Sequence, residues 1–69
     1  MTGRVLLRFL KKLGCQEIRQ SGSHVRVECG ACKTTVPVHR GEELPSGTLG
    51  QIQRDLEPCL GERWLRRTR

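Results

Sequence analysis

The sequence predicts an α+β fold whose elements run helix, strand, strand, strand, helix. Three observations predict it. An apolar stripe of helical period lies near the start, three strand-like segments follow with glycine-containing turns between them, and a second helical period comes after an acidic loop. At 69 residues the chain is expected to form one domain, residues 1–69. A chain this short buries only about 60% of the surface its unfolded form exposes, so its core is small. Phe9 and Trp64 are its only aromatic residues, which leaves the core mostly to Leu, Val and Ile.

Residues 3–13 read as the first helix. Val5, Leu6, Phe9, Leu10 and Leu13 form one stripe, with Arg4, Arg8, Lys11 and Lys12 on or beside the other face. Thr2 can cap its start and Gly14 its end. "CQEIRQ" is the first strand, with Ile18 its clearest apolar residue, and "SG" marks a turn. "HVRVEC" alternates Val25 and Val27 against His24, Arg26 and Glu28. "GA" is a two-residue hairpin connection, and "CKTTVPVH" is a β-branched third strand whose Pro37 belongs at an edge. After the acidic "RGEELPSG" loop, Leu49, Ile52 and Leu56 predict a second helix starting near Thr48, capped by Ser46 or Thr48 and ended or kinked by Pro58. Leu60, Trp64 and Leu65 suggest a final turn before the tail "RRTR", which reads as a solvated end. One antiparallel sheet can then bury one face under both helices and leave His24, Arg26 and Lys33 on the other. This is the layout of a double-stranded-RNA-binding domain.

The net charge of +6 is unevenly spread. Residues 1–40 carry eight Lys/Arg against two Asp/Glu, residues 41–62 one against five, and residues 63–69 four against none. Basic blocks of this kind attract polyanions, most often nucleic acid. "VLLRFL" is too short, and too interrupted by Arg8, to span a membrane or serve as a signal core. The expectation is a cytoplasmic protein with reduced thiols and no membrane partner.

Four blocks in order, "LRFLKKLG", "RQSGSH", "TVPVH" and "GTLGQI", resemble the HicA (YcfA-like) toxins of bacterial toxin–antitoxin systems. The resemblance runs from about Arg4 to Leu56. It implies a type II toxin that acts as an mRNA interferase, a small ribonuclease silenced by a HicB-type antitoxin in a hetero-oligomer. The family's catalytic histidine falls on His24 and its glycine on Gly22. The chain departs from the family pattern at Cys15, at "CGAC" and in the C-terminal "EPCLGERWLRRTR".

His24 can suffice for that chemistry because RNA carries its own nucleophile. A base that removes the proton of a 2′-hydroxyl lets its oxygen attack the adjacent phosphorus. An imidazole, with an ordinary pKa near 6.5, is matched to that task at neutral pH. Arg19, Arg26 and Lys33 are the candidate cations for the phosphate, and Gly22 and Ser23 the candidate backbone approach. No metal or other cofactor is required. His39 matches the family's "VPVH" position; it reads first as a strand-end residue bonding a nearby carbonyl, and second as a phosphate contact or general acid.

The cysteines leave three readings open. "CGAC", Cys29 to Cys32, has the spacing of half a zinc site, but no second pair follows. A Cys29–Cys32 disulfide across the turn is another. The favoured one is reduced thiols, with Cys15 and Cys59 packed as small apolar residues. The rival functions are a non-catalytic double-stranded-RNA-binding module, a degenerate and inactive toxin, and a zinc ribbon or knuckle. The first of these lacks a basic cluster at the start of the second helix.

Overall fold

The structure, a computed structural model, describes residues 1–65; the reading of the "RRTR" tail lies outside them. The elements are α1 (Gly3–Lys12), β1 (Gln16–Ser21), β2 (His24–Cys29), β3 (Cys32–Pro37) and α2 (Ser46–Leu60). The strands form one antiparallel sheet in the order β1-β2-β3. The predicted α-β-β-β-α layout is therefore the observed one. No helix among the described residues is long and apolar enough to cross a membrane.

The core lies between the helices and one face of the sheet. Leu6 and Leu10 of α1 meet Val25, Val27 and Val36 of the sheet and Ile52 and Leu56 of α2. Trp64 closes this core from beyond α2. Its ring stacks on Phe9 at 6.3 Å between centroids, and its indole N–H donates to the Gln53 carbonyl at 3.0 Å. One buried polar residue is satisfied across the layers: the Thr34 hydroxyl donates to Asp55 Oδ2 at 2.9 Å, while Gln51 donates to Oδ1 of the same carboxylate.

Several local expectations are corrected. The buried stripe of α1 is Gly3, Leu6, Leu7 and Leu10, whereas Val5 and Leu13 are each 40% exposed. Leu6 and Leu10 are buried and Phe9 packs half-buried against the core as predicted, so the stripe is turned only far enough to bury Leu7 in place of Val5 and Leu13. Ile18 is exposed too, because the pairing of β1 with β2 slips between Glu17 and Arg19, leaving Ile18 as the extra residue of a bulge. Helix α2 starts at Ser46, not near Thr48, and neither predicted side chain caps it: Pro45 holds the cap position and its carbonyl accepts from the Leu49 N–H. Pro58 lies inside the last turn without ending the helix, since there its missing N–H forfeits a single bond. Gly61 stops it instead, donating to the Glu57 carbonyl.

Gly3 fixes how α1 meets the sheet. Thr2 caps the helix by accepting from the Val5 N–H at 3.2 Å, as predicted. A Cβ on Gly3 would overlap the Pro37 carbonyl oxygen and press on Val38. These are backbone atoms that cannot swing aside. Gly3→Ala is therefore expected to cost about 1–3 kcal/mol by overpacking, although alanine is the better helix former. Urea unfolding checks this. An unchanged or raised midpoint would mean that the start of α1 does not sit against the end of β3.

The cysteines form two disulfides, Cys15–Cys29 and Cys32–Cys59. This overturns the reduced-thiol expectation, the Cys29–Cys32 bridge and the zinc half-site, since all four sulfurs are taken. The bulge is what makes the first bond. From the turn, Ser21 faces His24 and Arg19 faces Arg26, a register that would carry Cys15 opposite Gly30. Past Ile18 the register shifts by one, so Glu17 faces Val27, Gln16 faces Glu28, and Cys15 comes opposite Cys29. Their Cα atoms are 4.3 Å apart.

Candidate active site

His24 opens β2 immediately after the Gly22–Ser23 turn, and its side chain is exposed. Gly22 has φ +58°, a conformation that favours glycine, and nothing lies within 4 Å of where its Cβ would be. The turn thus needs glycine for its own backbone, and it leaves open space beside His24. The Gln20 side chain braces the turn by donating to the Gly22 carbonyl at 3.1 Å.

The strand register arranges the outer face in rows. Ser21, His24 and Pro37 form the first, Arg19, Arg26 and Thr35 the second, and Gln16, Glu28 and Lys33 the third. Residues two apart on a strand share a face and are about 7 Å apart along it. Arg26 and Arg19 therefore stand one row from His24. Nη1 of Arg26 donates to the Thr35 hydroxyl at 2.9 Å, which steers the guanidinium. Arg19 and Arg26 are cross-strand neighbours, with the Arg26 guanidinium turned toward Thr35 on the side of β2 away from Arg19, and among the described residues neither has an ion-pair partner.

Of the residues predicted for the site, the fold brings together His24, Gly22, Ser23, Arg19 and Arg26. Lys33 is on the same face but two rows from His24, about 13 Å along the strand direction, and it pairs with Glu28 at 3.7 Å. His39 lies just past β3, at the His24 end of the sheet, because the preceding Val38 N–H donates to the Ser23 carbonyl at 2.6 Å. It is exposed, and no hydrogen bond of its ring is formed among the described residues, so the expected bond to a carbonyl is not made. Ser21, opposite His24, and Thr35, which holds Arg26, were missed. The signal for both was in the turn lengths, which set the cross-strand partners.

No curated protein and no solved structure matches the chain. A sequence profile of the HicA toxins of bacterial toxin–antitoxin systems matches residues 3–57, which take in α1, the whole sheet and α2 up to Glu57. With that match covering most of its length and the expected α-β-β-β-α sheet in place, the chain belongs to the HicA toxin family.

Proposed function

We propose that this chain is the toxin of a type II toxin–antitoxin system and cleaves messenger RNA in the cytoplasm, without a metal ion, with His24 as general acid/base. The imidazole takes the proton of a 2′-hydroxyl, the 2′-oxygen bonds to phosphorus, and the bond from phosphorus to the 5′-oxygen breaks. That oxygen leaves with a proton from water, and the His24 imidazolium later releases its own proton to solvent. Arg19 and Arg26 offset the charge that builds on the non-bridging oxygens. A HicB-type antitoxin silences the toxin by covering this face with acidic and apolar groups.

The observation that carries this reading is the exposed His24 beside an open turn, one row from an unneutralised arginine pair, in a chain of the HicA family. A double-stranded-RNA-binding module is less well supported, since α2 begins "SGTLGQIQR" and its first cation is Arg54. The test is incubation of the purified chain with an mRNA transcript in EDTA. Endonucleolytic fragments that vanish when the antitoxin is added are expected. Intact RNA in the presence of folded, RNA-binding protein would replace this proposal with a degenerate toxin or a binding module.

A further inference from the structure

We infer that the groove between α1 and the edge strand β1 is a second RNA-binding surface, which holds the single strand flanking the phosphate at His24. The inference rests on the reading of the chain as an RNA-cleaving toxin.

All six residues of β1 are exposed. Between β1 and α1 lie two hollows of about 300 and 210 Å³ that share Leu7, Lys11 and Glu17 in their walls. Arg4, Arg8 and Lys11 border this groove. They sit at i, i+4 and i+7, so they share one helix face and rise by steps of about 6 and 4.5 Å. Such steps are of the order of the spacing between successive phosphates of an extended strand. Helix α1 has no acidic residue, and among the described residues none of the three cations is in an ion pair. Arg4 also stands in the first turn, where a cation opposes the helix dipole. Glu17 is the one acidic residue lining the groove, opposite Lys11, so the positive field is strongest toward Arg4 and Arg8.

That end is the His24 end. Gly3 packs on Pro37 and Val38, and the pair Gln20–Val25, which lines the groove, is next to the pair Ser21–His24. A strand whose phosphate sits at His24 on the outer face can drape over the Ser21–Ser23 turn, where Gly22 offers no side chain, and enter the groove beneath. An acidic, amphipathic peptide fits less well. Val25 and Val27 on the groove floor are only 3% and 1% exposed, so an apolar side chain would find little to bury.

The test uses the full chain carrying His24→Ala, which keeps RNA intact, with and without Arg4→Gln, Arg8→Gln and Lys11→Gln together. The three positions are exposed, and unfolding midpoints check that the fold survives. Binding is measured for a single-stranded RNA of about 12 nucleotides, within the range such grooves hold, and for a trinucleotide spanning only the cleavage position. The triple change should weaken binding of the long RNA at least about tenfold and make the slope of log K against log salt shallower by about 2. Trinucleotide binding should not change. An unchanged slope, or equal losses for both RNAs, would overturn the groove as an RNA surface. So would intact RNA binding with lost binding of the antitoxin, which would assign the groove to a protein. If the wild-type chain binds RNA without cutting it, the nuclease proposal fails, while the same loss of slope would still support the groove.

Discussion

Replacing His24 by alanine should slow RNA cleavage by about 10²- to 10⁴-fold, the usual contribution of a positioned general acid–base group. The loss should fall on kcat. The imidazole is exposed and outside the core, and the backbone pairing of residue 24 with Ser21 and Pro37 does not depend on its side chain. The fold and the Arg19–Arg26 pair therefore stay, and with them most of the phosphate binding proposed for that pair. Single-turnover cleavage beside a binding isotherm separates the two. A variant that cuts at the wild-type rate would place the base elsewhere, and His39, exposed at the same end of the sheet, would be the next residue to replace.

Reduction of the two disulfides should have the largest effect on stability. The bonds close loops with sequence separations of 14 and 27 residues. Loop closure in the unfolded chain makes bridges of these lengths worth about 3–4 kcal/mol each, as an upper expectation. A chain of this size has a net stability of only about 3–10 kcal/mol. The reduced chain should therefore sit near the edge of folding, with a urea midpoint that collapses when a reductant is added. Equal midpoints with and without reductant, with four thiols titrating in the reduced sample, would show that the bridges do not hold the fold. The placement of the bonds explains why they matter. Cys15–Cys29 ties the far end of the otherwise exposed β1 to β2, and Cys32–Cys59 ties the start of β3 to the last turn of α2. Proteins of the cytoplasm rarely keep such bonds, so in the compartment proposed for it the chain would work reduced and near that edge of folding.

The sheet and both helices were legible because their signals are local. The 3.6-residue period of α1 and the alternation of Val25 and Val27 need only neighbouring residues to be read, and a glycine-bearing two-residue turn sets the register of the hairpin beside it. What was not legible depends on a one-residue shift or on distant packing. The bulge at Ile18 has no glycine to announce it, yet it exposes Ile18 and brings Cys15 opposite Cys29. The burial of Leu7 in place of Val5 depends on where the close contact of Gly3 with Pro37 sets the helix. Trp64 lies beyond the stretch that matches the family, and its stacking on Phe9 joins residues 55 apart in the chain. At the candidate site, the alternation that puts His24 and Arg26 on one face was plain. The opposition of Arg19 and Arg26 and the distance of Lys33 required the register.

The chemistry of the cut ends tests the central claim most directly. RNA fragments made by the purified chain would be analysed by mass spectrometry and by end-specific labelling. Attack by the 2′-hydroxyl with His24 as base predicts a 2′,3′-cyclic phosphate, or the 3′-phosphate it hydrolyses to, on one fragment and a 5′-hydroxyl on the other. A 3′-hydroxyl paired with a 5′-phosphate would show that water, not the RNA's own hydroxyl, attacks the phosphorus, and would contradict the account.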